Sequence, residues 1–203
     1  MNVGCFFGTF DPPHNGHVEI AAYMLEHAGL DEVWLVITPQ NPFKVDTDIS
    51  PSSHRVAMAG LAIAGIKGLR VSEDELALPQ PNYTARTLEA FRQRWPQHRF
   101  AVIMGSDNLA EFGQWKDPGL ILAHHRVLVY LRPGSMMHVG QAEYAGHANV
   151  ELMDAPLMDL SSTRIRRAIR EGQNVEGKLP VAVLAYIQAH GLYADQPLTS
   201  EGA

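Results

Sequence analysis

Gly8-Thr9-Phe10-Asp11-Pro12-Pro13-His14-Asn15-Gly16-His17 is the stretch whose surroundings decide the fold. The run before it, Val3 to Phe7, is apolar throughout, the pattern of a strand buried on both faces in the middle of a parallel sheet. The run after it places Val18, Ala21, Ala22, Leu25 and Ala28 on one stripe, the pattern of a helix packed on one side. Asn15 is the expected N-cap and Gly29 the residue just past the end. The decapeptide is thus a strand-to-helix turn. Such a turn aims free backbone N–H groups and the positive end of the helix dipole at one spot. His14 and His17 stand at that spot. Donors and imidazoles converging on a helix N-terminus suit a phosphate that is attacked or displaced.

Working outward, Glu32 to Ile37 reads as a second buried strand, so the chain opens with a right-handed βαβ unit. The loop from Thr38 to Ser50 carries Pro39, Pro42 and Lys44. Ser50-Pro51 is expected to open a helix, Ser as cap and Pro at the first position. Leu69–Ser72, Arg99–Met104, Arg126–Leu131 and Val150–Met153 read as further strands. Thr84–Trp95, Trp115–His125, the segment capped by Ser161-Ser162-Thr163, and Pro180–Gly191 read as helices. This alternation predicts an α/β fold: a doubly wound, mostly parallel sheet with a small C-terminal helical extension. Residues 1–193 are expected to form a single domain, with residues 135–149 an insertion and residues 194–203 a disordered tail. The decapeptide, the Pro39–Lys44 loop and Gly105-Ser106-Asp107-Asn108 all follow strands. Open α/β sheets bind ligands at that carboxyl edge.

Composition narrows the function classes. The 203 residues are 46% apolar and 19% charged, with a net charge of -6, which argues against a disordered chain and against general nucleic-acid or membrane-surface binding. An anionic substrate would have to be drawn in by local basic groups. Cys5 is the only cysteine, so no disulfide forms within the chain and a reducing, cytoplasmic setting is expected. The N-terminus has no signal-peptide pattern, and no apolar run reaches the length of a membrane span.

Each motif alone has a plain alternative. His14-x-Gly16-His17 could be a helix cap with two surface histidines, half of a metal site, or a phosphate cradle. Ser161 to Arg166 could be a capped basic helix, or an anion clamp with Arg166 one turn in. Gly105-Ser106-Asp107 could be an ordinary turn, or a carboxylate for a ribose. Asn82-Tyr83-Thr84 and Trp115 could be core residues, or walls for an aromatic ring.

Taken together and in this order, these residues resemble the nucleotidyltransferases marked by an (H/T)xGH motif, and more closely the bacterial nicotinate-nucleotide adenylyltransferase family. The likeness covers residues 3–193. Its pieces are GTFDPPHNGH at 8–17, PFK at 42–44, HRVAM at 54–58, NYTARTL at 82–88, GSDNL at 105–109 with Trp115, RPG at 132–134, SSTRIR at 161–166 and LPVAVLAYIQAHGLY at 179–193. Three places depart from it: Phe7, Phe43 and Ala85-Arg86 stand where the family often has Gly, His and an apolar residue followed by Asp.

The resemblance implies a Rossmann-like nucleotidyltransferase fold. The implied reaction is adenylyl transfer from ATP to nicotinate mononucleotide, giving deamido-NAD and pyrophosphate, with Mg2+ accompanying ATP on mostly water ligands and no protein metal cage. It implies that His14, His17, Lys44 and Arg166 act on the phosphates. Gly8, Thr9, Phe10, Gly16, Gly105, Asp107, Ser162 and Thr163 would hold ATP, and Thr84, Trp115, Lys116 and Arg132 the acceptor. The alternatives are another enzyme of this superfamily, such as pantetheine-phosphate adenylyltransferase, or a nucleotide-binding module without turnover. Homo-oligomer formation is left open.

Overall fold

The computed structural model describes residues 1–39, 49–133 and 143–194. Lys44, Phe43, most of the 135–149 insertion and residues 195–203 lie outside these. Six strands form one sheet: β1 (Asn2–Gly8), β2 (Glu32–Ile37), β3 (Leu69–Ser72), β4 (Arg99–Gly105), β5 (Arg126–Tyr130) and β6 (Val150–Met153). Their order is β3-β2-β1-β4-β5-β6. Every pairing is parallel, so the "mostly parallel" expectation becomes wholly parallel.

Alternation along each strand divides the core into two layers. Phe6, Leu35 and Ile103 point to one face, where they meet Ile20 and Met24 of α1 (Asn15–His27) and Met58 of α2 (Ser52–Ala62). Ile165 of the helix Ser162–Arg170 and Val183 of the helix Val181–Ala189 complete that layer. Cys5, Trp34 and Val102 point to the other face. There they meet Leu88 and Phe91 of α3 (Thr84–Arg94), Leu109 of α4 (Ser106–Glu111) and Ile121 of α5 (Pro118–His124). The two C-terminal helices are α6 (Ser162–Arg170) and α7 (Val181–Ala189). Cys5 is fully buried, and burial pushes its thiol far above the usual range; it is a core residue, not a nucleophile.

Four local expectations are corrected. The cap of α1 is His14 rather than Asn15. The second helix starts at Ser52, with Pro51 as its cap residue, one position later than the expected Ser50 cap and Pro51 start. The expected Trp115–His125 helix is shorter, Pro118–His124, because Asp117 takes a left-handed backbone (φ 54°) that breaks any earlier turn. Ahead of it Phe112–Gln114 forms a 3-10 turn. The hydroxyls before α6 do not cap it; Ser162 Oγ instead donates to the Pro12 carbonyl at 2.9 Å.

The sheet order places the site. Chain connections leave β1 toward β2 on one side and return to β4 on the other. The crevice between the carboxyl ends of β1 and β4 is the topological switch point, where open α/β sheets take ligands. Gly8 ends β1 and Gly105 ends β4.

Candidate active site

His14 and His17 cap the helix reciprocally. His14 Nδ1 accepts from the His17 N–H at 3.3 Å, and His17 Nδ1 accepts from the His14 N–H at 3.1 Å. This is a capping box with imidazoles in place of hydroxyl and carboxylate. It also fixes the tautomer. A Nδ1 that accepts must be unprotonated, so in the neutral ring the proton sits on Nε2. Each ring therefore carries its one N–H donor on the edge away from the cap. The rings stack with centroids 3.7 Å apart, and Phe10 meets His17 edge-on at 5.0 Å.

Both rings are neutral at rest. Burial lowers the His14 pKa to about 4, with the Arg132 and Arg164 charges adding to it. Burial, then His14 and Arg132, hold His17 well below its usual range. A histidine held down in the folded state takes up its proton more readily when unfolded. Stability from this group is therefore full above pH 6.5 and is lost as pH falls toward 4. His14→Asn keeps a capping side chain and removes the titration. Urea titrations should show the fall in stability between pH 7 and 5 shallower by about 2 kcal/mol in that variant. An unchanged slope would mean that His14 titrates normally.

Glycines make room for these groups. A Cβ on Gly16 would press on the His14 ring at 3.2 Å. A Cβ on Gly105 would lie 2.3 Å from Asp107 Oδ1 and 2.7 Å from Arg132 Cδ. Arg132 and Asp107 form an ion pair at 3.0 Å over the end of β4, and Ser106 Oγ accepts the Arg132 N–H at 3.0 Å. Arg132, expected with the acceptor, thus stands beside the histidine pair and Asp107. From the other side, Arg166 Nη1 donates to the Asp11 carbonyl at 2.8 Å. Together with the Ser162 contact, this brings the start of α6, and Thr163 with it, against the decapeptide.

Two anchors escaped the sequence reading. Arg55 is 2% exposed and donates to four carbonyls: Ser50 (3.0 Å), Thr9 (2.9 Å), Thr38 (2.7 Å) and Pro39 (3.1 Å). It ties both roots of the loop that carries Lys44 to the first motif. The Asp11 carboxylate, fully buried, accepts from the Ser50 N–H at 3.1 Å and from the Tyr193 hydroxyl. So the chain's far end is fastened to the same turn. HRVAM at 54–58 was the available signal for Arg55; nothing local marked Tyr193.

Thr84, Trp115 and Lys116 belong to the opposite layer, and among the described residues no hydrogen bond joins them to the histidine loop. Thr84 opens α3, and Trp115 packs edge-on against Phe112 at 5.3 Å. Glu75 organises this side. Its Oε1 accepts the Thr87 hydroxyl at 2.7 Å, and its carbonyl accepts Asn82 Nδ2 at 2.7 Å. Burial raises the Glu75 carboxyl to about 7. The Trp115 N–H is committed to the Phe112 carbonyl at 3.1 Å, so that backbone donor is not available to a ligand. Lys116 lies 3.8 Å from Asp117, half exposed.

Comparison with known proteins agrees with this geometry. Residues 5–168 match the Cytidylyltransferase-like family. A Flavobacterium johnsoniae protein named "Probable nicotinate-nucleotide adenylyltransferase" is 38% identical over 193 residues, 95% of this chain and 99% of that one. One of the same name from Christiangramia forsetii is 40% identical, over 94% of this chain and 97% of its own. In fold, the chain resembles the Plasmodium falciparum nicotinic acid mononucleotide adenylyltransferase complexed with NaAD. The TM-score is 0.79 at 17% identity, covering 95% of this chain and 97% of that one. By its family match and by its identity to these relatives over nearly their whole length, the chain belongs to the nicotinate-nucleotide adenylyltransferases of the cytidylyltransferase-like family.

Proposed function

We infer that this protein transfers the adenylyl group of ATP to nicotinate mononucleotide, releasing pyrophosphate and forming deamido-NAD. The observation that carries the reading is the reciprocal His14–His17 cap at the switch point of the sheet. It leaves two fixed Nε2–H donors at a helix N-terminus. An oxygen of the mononucleotide 5′-phosphate attacks the α-phosphorus of ATP in line. The new P–O bond forms as the bond to the β-bridging oxygen breaks, and its electron pair leaves on pyrophosphate. No side chain becomes covalently attached.

The site supplies position and charge. Neutral imidazoles donate to α-phosphate oxygens without adding charge at rest. Arg132, Arg166 and Lys44 supply the local positive field that a chain of net charge -6 otherwise lacks. Asp107 accepts from the adenosine ribose, and the start of α6, with Ser162 and Thr163, faces the β- and γ-phosphates. Among the described residues no group of three or more His, Cys, Asp or Glu could hold a metal ion. The polar side chains gathered here are chiefly N–H donors. Mg2+ would thus enter as part of the MgATP substrate, on phosphate and water oxygens, where it offsets phosphate charge.

Arg166→Lys replaces a planar fork with a point charge. ATP should bind about tenfold more weakly, a loss of about 1.4 kcal/mol, with the melting temperature unchanged. ATP binding equal to wild type would reduce SSTRIR to a structural helix start. The acceptor is tested by pyrophosphate release from MgATP with nicotinate mononucleotide, nicotinamide mononucleotide or phosphopantetheine. Fast release is expected with the first; fast release with phosphopantetheine alone would move the protein to a different reaction.

A further inference from the structure

We propose that the cleft at the amino edge of the sheet, opposite the nucleotide crevice, is a second anion site that takes a compact phosphate-bearing molecule. The cavity there measures about 490 Å³, within the range of small-ligand sites. Arg92, Arg99, Arg126, His98, His124 and His125 line it, and none of its lining residues is acidic. In a chain of net charge -6, three arginines and three histidines share one concavity; Glu89 and Glu151 balance Arg92 and Arg126, so Arg99 is the charge that sets its positive potential.

Helix capping explains part of this cluster. Arg92 and His124 sit in the last turns of α3 and α5, where positive charge offsets the helix dipole. Arg92 also pairs with Glu89 at 3.1 Å, and Arg126 with Glu151 at 2.8 Å. The remaining three residues need another reason. Arg99 begins a strand and caps no helix. Its guanidinium has no hydrogen-bond or ion-pair partner among the described residues. The Nδ1 atom of His98 is buried and likewise unpartnered there. His125 is 6% exposed, with Nδ1 anchored to the Phe100 carbonyl at 2.8 Å. That bond makes Nδ1 the donor and fixes the ring in the cavity wall; burial keeps the ring neutral, so Nε2 is left as an acceptor for a ligand P–OH. The Arg99 guanidinium fork donates to the bare oxygens of a phosphate or polyphosphate group, and the His125 ring nitrogen accepts from a P–OH.

The test titrates inorganic tripolyphosphate, without metal, into the wild-type protein. Binding is followed through the histidine Cε1–H NMR signals, assigned by single His→Gln variants. The proposal expects saturable shifts of His98, His124 and His125, separable from any shift of His14 and His17 in the nucleotide crevice. Arg99 is exposed, so Arg99→Glu should fold normally. It should weaken binding at the three amino-edge histidines tenfold or more, leaving the His14 and His17 response and adenylyl turnover unchanged. Arg99→Gln should give a smaller loss in the same direction. The proposal is overturned if the three signals do not move, or if sodium sulfate at equal ionic strength reproduces a non-saturating shift. Wild-type affinity in Arg99→Glu overturns it as well.

Discussion

His17→Ala should lower kcat by about 10²-fold or more while changing ATP affinity by much less. One preorganised donor toward a developing oxyanion is commonly worth that much. The asymmetry between kcat and binding follows from the charge at rest. His17 is neutral because burial and its neighbours His14 and Arg132 hold it so. A neutral donor contributes little to ground-state binding of a polyanion. It contributes more as charge gathers on the α-phosphate oxygens in the transition state. The variant also loses the acceptor for the His14 N–H, so His17→Gln serves as a control that can still accept that bond. Steady-state kinetics with ATP held near and above its KM separates the two parameters. Near-wild-type turnover in His17→Ala would remove His17 from the chemistry.

Nicotinate mononucleotide should be preferred over nicotinamide mononucleotide by about 10²-fold or more in kcat/KM. The donors available on the acceptor side are backbone amides. Thr84 and Ala85 begin α3, and the first amides of a helix have no carbonyl partner within it. The Asn82–Thr84 turn that presents them is fastened from behind by Glu75, through Asn82 and Thr87. With the Trp115 N–H occupied, selectivity rests mainly on the start of α3, the Lys116 amide and the Thr84 hydroxyl. A carboxylate only accepts hydrogen bonds and satisfies such donors. An amide presents its own NH₂ to them, at a cost of about 1–3 kcal/mol for each buried group left unpaired. Trp115 would stack on the pyridine ring and contribute to both acceptors alike. Equal kcat/KM for the two mononucleotides would refute this account. Thr84→Ala should lose part of the discrimination and Trp115→Ala none, so discrimination lost in Trp115→Ala alone would also contradict it.

The sheet was legible because its strands are short apolar runs separated by helix-period patterns. β2, β3 and β6 begin and end where those runs do. The crevice was legible for a related reason: motifs that follow strands must gather at one edge of a parallel sheet. What was not legible depends on contacts distant in sequence. Arg55 looks like a surface residue of an amphipathic helix. Its burial is tolerable only because carbonyls from three separate segments converge on it, and each would be left unpaired without it. Tyr193 meets Asp11 from 182 residues away. The cap of α1 was misplaced for a chemical reason. Asn is an ordinary N-cap and histidine is not, yet two histidines three residues apart reproduce the capping box with ring nitrogens. Ser162 has the chemistry of a cap, but its hydroxyl donates to the Pro12 carbonyl instead, which helps hold α6 against the decapeptide.

The central claim is that the two histidine donors at the switch point serve transfer of the α-phosphorus from ATP to a nucleotide phosphate. Phosphorus-31 NMR on the wild-type protein, MgATP and nicotinate mononucleotide follows that atom directly. The account predicts a dinucleotide pyrophosphate signal growing in equal amount with free pyrophosphate, at a rate depressed about 10²-fold by His17→Ala. Release of orthophosphate with ADP, or ATP left unconsumed while the mononucleotide is bound, would contradict it.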